Sequence, residues 1–106
     1  MSLRAISSAS FQESIQENKV TMVDFSTKWC PPCKKLHPIL EELEGEEKNR
    51  LSIFHVDCDE SPELASEFSI MAAPTVIVFH NGEPVDKLIG LRPKGVYQAA
   101  LARYAP

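Results

Sequence analysis

The chain has 106 residues, of which 43 % are hydrophobic and 25 % charged, with 11 Lys+Arg against 15 Asp+Glu for a net charge of −4. That length gives one domain, residues 1–106, able to bury a core without staples, and the composition excludes a disordered chain. The acidic balance argues against nucleic acid as a partner, because phosphate binding needs a basic surface. No apolar run approaches the ~20 residues needed to cross a bilayer, and Met1 to Gln12 lacks the apolar stretch of a signal peptide. A cytoplasmic protein without membrane attachment is expected.

In chain order, Leu3 to Ile6 reads as a short edge strand. Ser8 to Asn18 reads as a helix, with Ser10 as its N-cap and Glu13 at the capping-box spacing. Val20 to Ser26 is a strand by its β-branched and aromatic content. A helix from about Cys30 to Glu47 carries apolar residues at helical spacing, Leu36, Ile39, Leu40 and Leu43. Pro38 inside it predicts a kink, since proline lacks an N–H and crowds the preceding turn. The run Glu41, Glu42, Glu44, Glu46 and Glu47 reads as a solvated helix face.

Leu51 to Cys58 reads as a second long strand. Ser61 to Phe68 is a short helix with Ser61 as cap, Pro62 at its first position and Glu63 in a first turn that favours a carboxylate. Thr75 to Phe79 and Val85 to Ile89 flank Asn81-Gly82, a strong hairpin signal because both residues tolerate positive φ. Gly90 ends that strand, and Pro93 to Tyr104 closes the chain as a helix. Strand–helix–strand alternation predicts parallel pairing and the final hairpin antiparallel pairing. The fold class is therefore α/β, a central mixed sheet of four to five strands flanked by four helices.

The chemistry centres on cysteine. Cys30, Cys33 and Cys58 are too few for a disulfide scaffold, and Cys30-Pro31-Pro32-Cys33 forms a close pair. Such a pair is either a metal clasp or a redox centre. It lies where a strand gives way to a helix, which puts Cys30 at a helix N-terminus. Unpaired amides and the helix dipole favour an anion there, and the thiolate is the reactive form of cysteine. Lowering a thiol pKa from about 8.5 to about 7 takes roughly 2 kcal/mol, within reach of a helix terminus helped by the Cys33 N–H. Two prolines suit a helix start, where N–H groups are unpaired anyway. A zinc site wants four ligands, and the spare candidates Cys58, His37, His55 and His80 show no second clasp spacing, so no metal and no cofactor is expected. Cys58 reads as a small buried hydrophobe. His37 reads as decoration of the active-site helix and His80 of the hairpin tip. By its place in a strand, Asp24 alone reads as solvent-facing.

The run Val23-Asp24-Phe25-Ser26-Thr27-Lys28-Trp29-Cys30-Pro31-Pro32-Cys33-Lys34-Lys35 resembles the active-site segment of the thioredoxin family. Pro38 matches that family's helix proline, Ala73-Pro74-Thr75 its cis-proline loop, and Phe79 to Glu83 with Gly90 its terminal hairpin. The resemblance covers nearly the whole chain in order and implies a thioredoxin fold and a protein-disulfide reductase. It makes Cys30 the exposed nucleophile, Cys33 the shielded resolving thiol, and Asp24 a buried proton acceptor and donor behind Cys33. It assigns substrate contact to Trp29, Pro31, Pro32, Ala73, Pro74 and Gly90, with Pro74 cis and the Ala73 backbone pairing with an extended segment. The partners it implies are disulfide-containing proteins and an NADPH-dependent flavoprotein reductase, for a monomer.

Three positions depart from the family pattern. Pro31-Pro32 stands where Gly-Pro is usual, a form shared with thioredoxin-like relatives such as tryparedoxins. His55 stands where a lysine is often found near the buried aspartate. Ala73 is smaller than the residue usual before the proline. The alternatives beside a reductase are a binding or regulatory module of the same fold, gated by its thiol state, and a disulfide isomerase or oxidant.

Overall fold

A computed structural model describes residues 3–16 and 20–105. The elements are β1 (Arg4–Ala5), α1 (Ser8–Gln16), β2 (Val20–Ser26), α2 (Pro31–Glu46), β3 (Leu51–Asp57), α3 (Pro62–Glu67), β4 (Thr75–His80), β5 (Glu83–Ile89) and α4 (Lys94–Tyr104). The sheet has five strands in the order β1-β3-β2-β4-β5. The edge strand β1 pairs parallel to β3, which settles the strand number at five.

Alternation predicts parallel pairing, and this holds for β2 with β3 over Val20–Ser26 and for β1 with β3. β4 lies on the other side of β2 and runs antiparallel to it. Helix length explains the difference. The 16 residues of α2 span about 24 Å, enough to return the chain along a full strand, whereas the six of α3 span about 9 Å. The chain therefore enters β4 near the end at which it left β3. The Asn81-Gly82 hairpin forms as expected, with φ of 54° and 84° at the two turn residues.

The helices cover both faces. On one face Leu36, Leu40 and Leu43 of α2 and Tyr97, Ala100 and Leu101 of α4 pack on Val20, Met22, Ile53, Val76 and Val78. On the other, Phe11 and Ile15 of α1 and Leu64 of α3 pack on Val23, Phe25, Val56, Ile77 and Phe79. The period of two along β2 sends Val20 and Met22 to the α2 face and Val23 and Phe25 to the α1 face. Asp24 shares the parity of Met22, so it points beneath α2 with no solvent exposure. The solvent-facing reading of its strand position fails because β2 is central and covered on both sides.

Several local expectations are corrected. Ser10 is not the N-cap of α1. The helix starts at Ser8, and Ser10 Oγ reaches back to accept from the Ser7 N–H at 3.2 Å. The expected C-terminal end of that helix, Asn18, lies outside the described residues. Ser61 holds the N-cap position of α3 without a side-chain capping bond. Pro38 lies inside α2, as the sequence predicts. The acidic face of α2 is tied down rather than merely solvated. Glu44 Oε2 accepts from the Ile53 N–H at 2.7 Å, and Lys94 Nζ lies 3.3 Å from Glu42 and 2.7 Å from Glu46. Those bonds link α2 to β3 and α4.

Candidate active site

The site forms where β2 ends and α2 begins. Cys30 is the N-cap of α2, extended at φ −130°, and Pro31 and Pro32 occupy the first helical positions. Neither proline carries an N–H, so the donors left in the first turn are Cys33 and Lys34. The Cys33 N–H donates to Cys30 Sγ at 3.2 Å, and the Lys34 N–H to the Cys30 carbonyl at 3.2 Å. The capping side chain is thus a sulfur, and the one amide that reaches it belongs to the second cysteine. Cys30 and Cys33 are joined in a disulfide, with Cα atoms 5.2 Å apart.

Cys30 is less exposed than expected of the outer sulfur. It retains 7 % exposure against 3 % for Cys33. The disulfide covers one side of Cys30, and the Ala73 carbonyl oxygen lies 3.6 Å from its Sγ on another. That carbonyl belongs to the Ala73–Pro74 peptide, which is cis as anticipated. Pro74 is buried and its carbonyl accepts from the Gly90 N–H at 2.8 Å, which brings the end of β5 to the same loop. Trp29 is 88 % exposed, which rules out a core role for it. Pro31 and Pro32 are exposed beside it. Trp29, Met71, Ile89 and Leu91, the large apolar residues exposed among the described ones, all lie within three residues of Cys30, Pro74 or Gly90. Six candidate residues, Trp29, Cys30, Cys33, Ala73, Pro74 and Gly90, are therefore on or beside one contiguous set of loops.

Asp24 lies on the inner side of this site. It is in register with His55 across the parallel β2–β3 ladder. The residue that approaches its carboxylate is His37, with Nε2 3.2 Å from Asp24 Oδ2. At that distance the two groups form an ion pair when His37 is protonated. The His37 pKa is raised above its ordinary 6.5 by its contact with Asp24, against an opposing effect of burial. His55 packs edge-on against His37, ring centroids 4.9 Å apart, and its pKa is lowered by burial and then by the neighbouring His37.

His37 as helix decoration is thus corrected, whereas His55 does sit beside Asp24 across the β2–β3 ladder and feels its charge. His37 falls one helical turn after Cys33, and that i, i+4 spacing places it on the Cys33 side of α2. The spacing was the available signal. Cys33, His37 and His55 line one groove of about 190 Å³ with Ser26, Thr27, Lys28 and Lys34.

Cys58 sits just past β3, half-buried rather than within the strand core. Its N–H bonds to the Ser26 carbonyl at 2.9 Å, and burial pushes its thiol up from the ordinary 9.0. A raised thiol pKa suits an inert packing residue. Among the described residues no group of three or more His, Cys, Asp and Glu is arranged to hold a metal ion. No helix among them is long and apolar enough to cross a membrane.

The profile of the thioredoxin family matches residues 2–103. The chain is 45 % identical over 94 residues to the thioredoxin of Staphylococcus haemolyticus, covering 89 % of each chain. It is 38 % identical over 96 residues to the bifunctional thioredoxin reductase/thioredoxin of Mycobacterium leprae, covering 91 % of this chain and 21 % of that longer one. Its structure superposes on that of Plasmodium falciparum thioredoxin with a TM-score of 0.87 and 32 % identity, over 97 % of this chain and 100 % of the other. A dithiol pair capping the helix after the central strand, in a chain that matches on sequence and fold together, makes this protein a member of the thioredoxin family and a protein-disulfide oxidoreductase working through Cys30 and Cys33.

Proposed function

We propose that Cys30 is the attacking sulfur, Cys33 the resolving one and Asp24 the proton acceptor for Cys33. The observation that carries this assignment is the Cys33 N–H donating to Cys30 Sγ at 3.2 Å at a helix N-terminus, a setting that favours a thiolate at Cys30 over one at Cys33. In the reduced protein the Cys30 thiolate attacks a substrate disulfide, forms a mixed disulfide and expels the first substrate thiolate. Cys33 then loses its proton to Asp24 and attacks Cys30 Sγ. The electron pair of the Cys30–substrate bond leaves with the second substrate thiolate. Both substrate thiolates take up protons, and the two electrons of the dithiol have moved to the substrate.

Substrate docking falls to Trp29, Pro31, Pro32, Ala73, Pro74 and Gly90, whose loops surround Cys30. An extended segment of a disulfide-containing protein suits a site with a backbone carbonyl 3.6 Å from the reactive sulfur and an apolar rim. The electron donor that returns the disulfide to the dithiol is a flavoprotein reductase drawing on NADPH. The fusion of the two names in the Mycobacterium leprae relative supports that pairing. The protein works as a monomer in the reducing cytoplasm.

The test is trapping. Reduced Cys33→Ser, mixed with a disulfide-containing protein such as insulin, is expected to accumulate a stable mixed disulfide at Cys30. Cys30→Ser is expected to accumulate none, and neither variant to turn over with dithiothreitol. Trapping through Cys33 in the Cys30→Ser variant would reverse the assignment. Unaltered turnover by either variant would remove the dithiol from the reaction.

A further inference from the structure

Asp24 is fully buried, yet a proton acceptor must return its proton to solvent on every cycle. The route is the point at which this chain departs from a lone carboxylate under a cysteine. His37 Nε2 is 3.2 Å from Asp24 Oδ2, and its side chain is 33 % exposed while that of Asp24 is 0 %. One ring thus touches both the carboxylate and the outside. Its outer surface lies in the groove of about 190 Å³ shared with Cys33 and His55. His55 holds it edge-on at 4.9 Å from the neighbouring strand.

We propose that His37 is the group through which Asp24 exchanges its proton with solvent, so that the Asp24–His37–His55 cluster governs the second half of the exchange reaction. The inference rests on Asp24 being the proton acceptor for Cys33. His37 acts through Asp24 and is in that sense a positioning residue.

At rest the Asp24 carboxylate faces the His37 imidazolium. When Cys33 attacks Cys30 Sγ, its thiol proton goes to Asp24 and the substrate sulfur leaves with the electron pair of the broken bond. The charge that favours the imidazolium is then gone, and burial, which disfavours it, remains. His37 sheds its Nε2 proton to solvent in the groove while Nδ1 keeps its hydrogen, the freed Nε2 takes the Asp24 proton, and the ion pair is restored. One proton has left the site and one is taken up by the departing thiolate.

Other charges around the pair set where it titrates. Glu41 on α2 favours the His37 cation. His55 packs on His37 from β3 and in turn feels Asp57 and Glu60, and Lys34 and Lys28 line the groove. Tyr97 of α4 has its pKa raised by burial and, to a smaller extent, by the charge of Asp24.

The experiment uses 5,5′-dithiobis(2-nitrobenzoate) as the disulfide. Reduced protein in excess releases a first thionitrobenzoate in a concentration-dependent phase that reads Cys30, and a second in a concentration-independent phase that reads Cys33. Both are followed at several pH values for wild type, His37→Ala, His37→Gln, Asp24→Asn and the double variant Asp24→Asn/His37→Ala. The ratio of second-phase to first-phase rate is expected to fall about tenfold near neutral pH in both His37 variants. The inflection in the wild-type second phase, expected above pH 6.5, disappears with it. Added imidazole, which fits the open groove, restores the rate of His37→Ala, and the double variant is no slower than Asp24→Asn.

A slow Asp24→Asn beside a His37→Gln with the wild-type rate and inflection overturns the inference and leaves Asp24 as the proton acceptor. An Asp24→Asn with an unaltered second phase removes both. Additive losses in the double variant, or no rescue by imidazole, also overturn the inference, because His37 would then act elsewhere or only by packing.

Discussion

His37 and His55 touch each other, yet their environments push them in opposite directions, and the sign of each shift fixes a limb of the stability–pH curve. The pKa of His37 is raised in the folded protein by Asp24, so the fold binds more protons there than the unfolded chain does above pH 6.5. Its contribution is present below 6.5 and is lost as pH rises through the folded value. His55 is lowered by burial, so its contribution is present above 6.5 and is lost as pH falls through its folded value. Urea midpoints measured from about pH 5.5 to about 7.5 are expected to peak near the ordinary histidine value. His37→Ala should flatten the upper limb and His55→Ala the lower one. A monotonic curve that neither substitution changes would mean that the two rings titrate as in the unfolded chain. A single-residue reading of the sequence could not find this pair. Asp24 was legible as the buried carboxylate only through the family pattern, and its partner had to come from α2, where the sequence separation is 13 positions and the link is the helical turn from Cys33.

At the scale of an element, the first turn of α2 carries the departure most visible in the sequence. Pro31 and Pro32 remove two amides from the end of the helix that faces Cys30, leaving the Cys33 N–H as the donor to the sulfur. Replacing Pro31 with glycine returns one N–H to the helix N-terminus and loosens the loop. Both effects favour the reduced form, the first by stabilising the Cys30 thiolate and the second by freeing the open dithiol. A gain of about 0.3–1 kcal/mol, typical of a charge near a helix terminus, lowers the thiol pKa by roughly 0.2–0.7. It makes the potential less negative by roughly 6–21 mV for a two-electron couple. Thiolate absorbance against pH and equilibration with glutathione read the two quantities, and a shift of either in the opposite direction would show that rigidity at Pro31 already favours the thiolate. Elements with a local cause were legible in this way. The hairpin at Asn81-Gly82, the cap at Cys30 and the strand Val20–Ser26 each follow from residues next to one another. The direction of β4 was not, because it depends on the length of α3 relative to the strands. Nor was the cap of α1, because Ser7, Ser8 and Ser10 offer competing hydroxyls and the bond that forms runs backward from Ser10 to the Ser7 N–H.

Across the whole molecule, the sheet separates two cores, and the chemistry sits on one side of it. Asp24 points to the α2 face between Met22 and the head of the helix, whereas its neighbours Val23 and Phe25 point to the α1 face. Phe11 anchors that second face, with ring centroids 5.3 Å from Phe68, 5.6 Å from Phe79 and 6.5 Å from Phe25. Removing it leaves a cavity and is expected to cost about 3–5 kcal/mol, a large share of the ~5–15 kcal/mol that holds a domain of this size. Leu36→Ala, on the other face, costs about 2–5 kcal/mol by the same reasoning. The two variants should differ in function despite similar losses of stability. Leu36 is fully buried in α2 between Cys33 and His37, so a cavity there lets the helix that carries both residues shift over Asp24. Under conditions where each variant stays folded, Phe11→Ala should keep the rate of Cys33 attack within about twofold of wild type, as expected for independent sites. Leu36→Ala should slow it well beyond that, since small misplacements of reacting groups are costly. Urea denaturation gives the stabilities, and the second phase of thionitrobenzoate release gives the rates. Equal slowing in both variants would mean that the sheet transmits strain between its faces, and that the site depends on the phenylalanine core as much as on the helix above it.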